Sequence, residues 1–315
     1  MYPGLPAFDS LLTDLTARAL PRCVVVAPHT HAAMTAVAQV VATGAHVDVV
    51  GDVTLVSGLA SNMSVDQDLL RIHPASDAAA AVERAARLVR EGDAAFVVKG
   101  SLSTAELLGG LLRERLPGRS SCASHAYVMH LEAFGERTVI LTDAGVNIAP
   151  TLETKVAIID NAAALFRSLA RTEQRVAVPR VALLSAVEKV NPKLASTIDA
   201  AALRVMWERG QINDVLIDGP MPLDAALFPH SAAEKGLEGA VAGQADILVA
   251  PDLDAGNLLA KALIGQHTPA MGVVLGVGVP VALPSRGDTV DTRLRSFFLA
   301  AHLAETNQLE LERTW

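Results

Sequence analysis

The sequence predicts an α/β protein of two lobes, with parallel-type sheets covered by helices. Three observations carry this expectation. The 315-residue chain is longer than the ~250–300 residues at which a single hydrophobic core stops growing. Short apolar runs alternate with longer helical patterns, the order expected of parallel sheets flanked by helices. The apolar runs are nearly continuous in Val, Leu, Ile and Ala, as in strands buried on both faces.

In the first half, residues 23–27, 46–50, 95–98 and 138–141 are predicted as strands. In the second half the strands are 180–184, 215–217, 247–249 and 279–283. Apolar spacing places helices over 30–43, 78–91, 104–116, 152–171, 197–209, 255–264 and 291–305. Before the first strand, Phe8, Leu11, Leu12 and Leu15 mark one face of a short amphipathic helix. Ser103 with Glu106 fits a capping box, and Ser196 with Asp199 is a weaker variant of it. The polar stretch 171–175 reads as the loop into the next strand.

Composition narrows the function classes. Hydrophobic residues make up 51% of the chain but aromatics only 3%, which suits Ala-rich helices packed closely on Val/Leu-rich strands. The net charge of −8 leaves no basic footprint for nucleic acid. An anionic substrate must then be held by local Arg, Lys or backbone N–H groups. Cys23 and Cys122 form no CxxC pair and suit free thiols in a reducing compartment. The N-terminal stretch lacks the charged and apolar regions of a secretory signal. No run approaches the ~20 apolar residues of a membrane span. The expectation is a soluble cytoplasmic protein with no membrane partner.

Ligands of open α/β sheets bind beyond the carboxyl ends of the strands, and four clusters follow strands directly. Lys99, Gly100, Ser101 and Ser103 join a strand to a capped helix. Gly100 allows close backbone approach, and the helix N-terminus favours an anion, although an ordinary strand-to-helix turn would look the same. Asp143, Gly145 and Asn147 form the second cluster, either an Asx-type turn or a ligand loop. The third holds Asp252, Asp254, Gly256 and Asn257, with Lys261 one helical turn further on. Here Asp254 is either a helix cap or part of a loop lining a ligand. The fourth is Ser285, Arg286, Gly287 and Asp288. Arginine is the side chain best matched to bidentate phosphate binding, and this is the most anion-friendly cluster. No His or third carboxylate stands at ligand spacing near these groups, so no metal site is expected.

Together these clusters resemble the phosphate acetyltransferase/phosphate butyryltransferase family, and more closely its butyryltransferase-like branch. The resemblance includes VKGSLST at 98–104, SHAYV at 124–128, TDAGVNIAP at 142–150 and AVEKVNPKLASTIDAAAL at 186–203. It continues through DGPMPLDAAL at 218–227 and EKGLEGAVAGQADILVAPDLDAGNLLAKAL at 234–263, and closes with VPVALPSRGDTVDTRLRSFFLA at 279–300. The first 95 residues match only in rhythm.

The resemblance implies two Rossmann-like lobes with an inter-lobe cleft, in an architecture like that of isocitrate/isopropylmalate dehydrogenase. Residues 1–151 with 284–315 would form the first lobe and 152–283 the second, through which a homodimer would form. It implies reversible transfer of a short acyl group, acetyl or butyryl, between coenzyme A and phosphate, with both as substrates and with no cofactor. Ser285, Arg286 and Asp288 would be catalytic. Lys99, Gly100, Ser101, Ser124, His125, Asp143, Asn147, Asp254, Gly256, Asn257, Lys261 and Gly287 would bind substrate.

Two departures from the family pattern bear on mechanism. The acetyltransferase branch places a proposed base, an aspartate, seven residues after the serine, where this chain has Thr292. Asp291 stands one position earlier, and Asp288 matches the serine–arginine–small–aspartate pattern of the butyryl-like branch. Near the N-terminus, His29 and His31 replace the small and acidic residues usual after the first strand. The rival from another class is a non-catalytic acyl-CoA or phosphate-binding protein of the same fold. A dehydrogenase would need a full G-x-G-x-x-G after a strand, which Gly276-Val277-Gly278 does not complete.

Overall fold

The computed structural model describes residues 5–17, 20–170, 178–265, 267–283 and 289–313. The loop expected at 171–175, and Ser285, Arg286, Gly287 and Asp288, lie outside the described residues.

The chain opens with α1 (Phe8–Thr16), β1 (Cys23–Val26), α2 (His31–Val41), β2 (Val47–Gly51), α3 (Val53–Asn62) and β3 (Leu70–Pro74). It continues with α4 (Ala78–Arg90), β4 (Phe96–Lys99), α5 (Thr104–Glu114), β5 (Ser124–Leu131) and β6 (Arg137–Thr142). Next come α6 (Leu152–Leu169), β7 (Arg180–Leu184), α7 (Ala195–Glu208), β8 (Leu216–Met221), α8 (Leu223–Leu227) and α9 (Pro229–Glu234). The last elements are β9 (Ile247–Val249), α10 (Leu253–Gly265), β10 (Ala270–Leu275), β11 (Val281–Ala282) and α11 (Val290–Arg313).

Two compact units result. An N-terminal unit combines residues 12–123 with 271–315, and a central unit combines 124–270 with 1–11. In the N-terminal unit the strand order is β3-β2-β1-β4-β11-β10. All neighbours there are parallel except β10 with β11. The central unit has the order β5-β6-β9-β7-β8, parallel except for the β5–β6 hairpin. The sheets are therefore mixed rather than wholly parallel. A continuous apolar run signals two-sided burial but carries no strand direction.

The units divide near 123/124 and 270/271, where the sequence suggested 151/152 and 283/284. The cause is the β5–β6 hairpin: Ile140, Leu141 and Thr142 of β6 pair with Ile247, Leu248 and Val249 of β9, which in turn pairs with β7. Below this sheet, Met129, Leu141, Ala182, Met221, Ala226 and Leu248 form part of one buried core. The eight expected strands are joined by three more. β3, β5 and β10 were not predicted, nor were α3, α8 and α9.

The amphipathic first helix buries Phe8, Leu11 and Leu15 as its spacing predicts. Ser103 and Glu106 make the full capping box of α5, Glu106 N–H donating to Ser103 Oγ at 3.2 Å and Ser103 N–H to Glu106 Oε2 at 2.9 Å. The second expected box does not form. The N-cap of α7 is Leu194, without a side-chain cap, while Ser196 Oγ meets Ser185 Oγ at 2.9 Å. Asp199 instead receives Lys155 Nζ at 2.6 Å, so the stronger ion pair takes its carboxylate.

Candidate functional site

In the N-terminal unit the chain runs from β1 outward through β2 and β3, and then crosses back to place β4 on the other side of β1. The strand order thus reverses between β1 and β4, the point at which open α/β sheets bind ligands. Two helices begin there. Thr30 caps α2 by accepting from Ala33 N–H at 3.3 Å, and Ser103 caps α5. The two loops are fastened together: Gly100 N–H donates to Val26 O at 3.0 Å, and Ser101 N–H to Ala27 O at 2.8 Å. Ser101 Oγ reaches Thr30 Oγ1 at 3.3 Å. A Cβ at Gly100 would strike the Val26 carbonyl oxygen. This glycine therefore serves the close approach of β1 and β4, a sufficient reason for it without any ligand.

A pocket of about 530 Å³ opens at this junction. Its lining includes Val25, Val98 and Ala282 from the strands, Ala33, Ala36 and Val37 from α2, and Leu294 and Phe297 from α11. Thr30, Gln39, Lys99, Ser101 and Arg293 contribute the polar part. Lys99 Nζ donates to Gly100 O at 3.3 Å and to Leu102 O at 3.2 Å, which keeps the ammonium beside the loop. Phe297 is anchored by an edge contact with Phe96, with ring centroids 5.0 Å apart. Lys99, Gly100 and Ser101 are legible in the sequence as a candidate site, whereas the α2 and α11 walls are not. The only local signal was the run of small residues at 32, 33 and 36 on α2.

Around the pocket, Thr289 is the residue before α11 and accepts from Thr292 N–H at 3.2 Å. Thr292 is buried, and its hydroxyl lies 3.1 Å from Thr289 Oγ1. The position at which the acetyltransferase branch carries its aspartate is thus taken up by helix capping. Asp291 is largely solvent-exposed and 3.9 Å from Arg295 Nη2. His31 opens α2, with Thr35 Oγ1 3.4 Å from its Nδ1. His29 accepts on Nε2 from Asp52 N–H at 3.0 Å, beside the Asp52 carboxylate that caps α3. Both histidines are thereby occupied at helix starts.

The central unit gathers the second and third clusters. The Asp143 carboxylate is the hub of its loop. Its Oδ1 accepts from the N–H groups of His125, Gly145 and Val146 at 2.9–3.1 Å. Its Oδ2 accepts from Asn147 N–H at 2.9 Å and Asn147 Nδ2 at 2.5 Å. Helix α10 then locks onto this loop, with Asn257 Nδ2 donating to Ala144 O at 2.9 Å and Leu253 N–H to Ile148 O at 3.1 Å. Gly256 lies between them, and a Cβ there would strike the Asp143 carbonyl oxygen. Asp252, not Asp254, caps α10 by accepting from Ala255 N–H at 2.9 Å. Asp254 and Lys261 are exposed on that helix.

Ser124 is buried and accepts from Asn161 Nδ2 at 2.9 Å. His125 is buried against Gly145 and against Tyr127, whose ring centroid is 4.5 Å away. Its Nε2 meets no hydrogen-bond partner among the described residues. Burial pushes the His125 imidazole well below its ordinary value, with Asp143 opposing and Lys261 reinforcing the shift, so the ring is neutral at pH 7. Among the described residues no three His, Cys, Asp or Glu side chains gather to hold a metal. No described helix is long and apolar enough to cross a membrane.

Residues 72–301 match the family model described as Phosphate acetyl/butaryl transferase. The chain belongs to this family. A phosphate acetyltransferase of Rhizobium meliloti is 46% identical over 230 residues, covering 72% of this chain and 70% of that protein. A phosphate butyryltransferase of Clostridium acetobutylicum is 32% identical over 303 residues, 95% of this chain and 99% of its own length. Among solved structures, a branched-chain phosphotransacylase from Enterococcus faecalis V583 superposes with a TM-score of 0.74 at 29% identity, over 90% of this chain and 99% of that one. Membership in the acetyl/butyryl transferase family therefore rests on sequence and on an α/β fold with mixed sheets, and both branches are represented among the relatives.

Proposed function

We propose that this family member is a phosphate acyltransferase, exchanging a short acyl group between coenzyme A and inorganic phosphate. The observation that carries the reading is the pocket at the β1/β4 switch point, bordered by Lys99 and Arg293, in a chain whose family is named for this reaction. In the forward direction an oxygen of hydrogen phosphate attacks the thioester carbonyl and forms a C–O bond. The tetrahedral intermediate collapses, the C–S bond breaks, and the sulfur leaves with the electron pair. The proton carried by phosphate ends on the CoA thiol, so acyl-CoA and hydrogen phosphate become acyl phosphate and CoA.

In this reading Arg286 holds phosphate, Ser285 donates to the developing oxyanion, and Asp288 moves the proton between phosphate and thiol. Lys99, Gly100 and Ser101 border the acyl donor. Ser124, His125, Asp143, Asn147, Gly256 and Asn257 build and support the central unit's loop, with Asp254 and Lys261 on its exposed side. No resident cofactor or metal enters the scheme. The isocitrate/isopropylmalate dehydrogenase-like architecture, a homodimer formed through 152–283 and a cytoplasmic location belong to the same proposal and rest on the resemblance. No observation favours the non-catalytic binder.

Thiol release from acetyl-CoA and butyryl-CoA, with and without phosphate, tests the reaction. Phosphate-dependent release that Arg286→Ala abolishes supports it. Release independent of phosphate, or none from either thioester, sinks it.

A further inference from the structure

The switch-point pocket is graded from wall to rim. Every lining residue that is fully buried is apolar, namely Val25, Val37, Val40, Val98, Ala282 and Phe297. Every polar or charged one (Thr30, Gln39, Lys99, Ser101 and Arg293) keeps some exposure. Such a gradient fits a molecule with an anionic head and a hydrocarbon tail. It does not fit a nucleobase, whose ring edges would need hydrogen-bond partners at the buried end.

At about 530 Å³ the space falls within the ~300–1,000 Å³ typical of small-molecule sites and far exceeds the needs of a methyl group. It exists because α2 turns Ala33 and Ala36 toward it, where longer side chains would fill it. Its lining also flanks the Ser285–Arg286 segment in sequence, with Ala282 before it and Arg293 after it.

We infer that this pocket seats the acyl chain, and that it selects linear or branched chains longer than acetyl. The inference deepens the acyltransferase reading and rests on it for the identity of the head group. Ala36 and Ala33 are the specificity-determining positions, since they set the depth of the apolar wall. In an apolar pocket each methylene gained or lost changes selectivity by roughly tenfold or more.

The test is calorimetric binding of CoA, acetyl-CoA, butyryl-CoA and hexanoyl-CoA to the wild type, Ala36→Leu and Ala33→Leu, with folding checked by circular dichroism and thermal melts. The wild type is expected to bind hexanoyl-CoA at least tenfold more tightly than acetyl-CoA, and each folded variant to lose most of that ratio. A wild type without chain-length preference overturns the inference. So does a ratio that survives both substitutions, or an equal loss of affinity for CoA itself, which would make the pocket a site for the pantetheine arm. Thiol release by the same proteins separates the two claims. Absent turnover with a chain-length ratio that the variants erase would leave the acyl pocket standing and remove the transferase.

Discussion

The backbone N–H of His125 donates to Oδ1 of Asp143 at 3.1 Å, so the start of β5 and the loop after β6 share one carboxylate. That carboxylate accepts five hydrogen bonds, all from its own unit. Its work is to hold the loop in shape. In Asp143→Asn an amide NH₂ would face the two donors of Asn147. The expected cost is about 1–3 kcal/mol of stability, the penalty for leaving buried donors unsatisfied. Urea unfolding measures it. Unchanged stability with a raised KM would instead make Asp143 a direct substrate contact.

Gly256→Ala is expected to destabilise the central unit despite the better helix propensity of alanine, worth about 1 kcal/mol. The new Cβ meets a backbone carbonyl, that of Asp143, which cannot rotate aside as a side chain would. Overpacking of this kind costs about 1–3 kcal/mol, and displacing α10 also threatens the Asn257–Ala144 bond. A lower Tm is the expected result, and a rise would show that α10 can slide freely.

How much of this was legible in the sequence follows from what each residue reports. Runs such as 180–184 and 247–249 coincide with β7 and β9 because a short, predominantly aliphatic run has few alternatives to a buried strand. β3 was illegible because LRIHP mixes two apolar residues with Arg71 and His73 and carries a proline, as an edge strand does. β5 hides two histidines and a serine in a mostly buried strand. The capping box at Ser103 was legible because it is local. The contact of Gly256 with Asp143 was not, since 113 residues separate Asn257 from the Ala144 carbonyl to which it donates. For the same reason Arg293 and Phe297 gave no sign of facing a pocket built by α2 and β4. Of the predicted site, the segments at 99–101, 124–125, 143–147 and 254–261 fall into two local assemblies, one in each unit.

Arg180 and Asp246 form the most fully buried ion pair of the central unit. Arg180 Nη2 lies 2.7 Å from Oδ1 and Nε 2.8 Å from Oδ2, and Arg180 N–H donates to Oδ2 at 2.9 Å. Removing one partner leaves the other charge buried, which costs about 3–5 kcal/mol. Asp246→Ala is therefore expected to lower the urea midpoint sharply. The double variant Arg180→Met/Asp246→Leu should recover much of the loss, because it strands neither charge of the pair. A double variant as unstable as the single one would contradict this account.

His125 adds an acid sensitivity. Its folded pKa is depressed by burial, so between that value and its ordinary one the unfolded chain binds a proton that the folded chain does not. Stability then rises with pH across this window and falls as acid is added. His125→Gln is expected to flatten the stability profile between pH 7 and pH 5 relative to wild type, as read by urea midpoints. An unaltered slope would assign the acid sensitivity to other groups.

The N-terminal unit is made from two separated stretches of chain, with β11 lying between β4 and β10. During synthesis β4 therefore leaves the ribosome long before the strand that covers its outer edge. At ~5–20 residues per second, translating the whole of 124–270 takes on the order of ten seconds. Throughout that interval β4 presents an open edge, the kind of surface that invites mispairing with other chains. The pocket's third wall, on α11, arrives later still. A bound substrate can thus stabilise the finished protein but cannot assist its nascent chain before α11 is made.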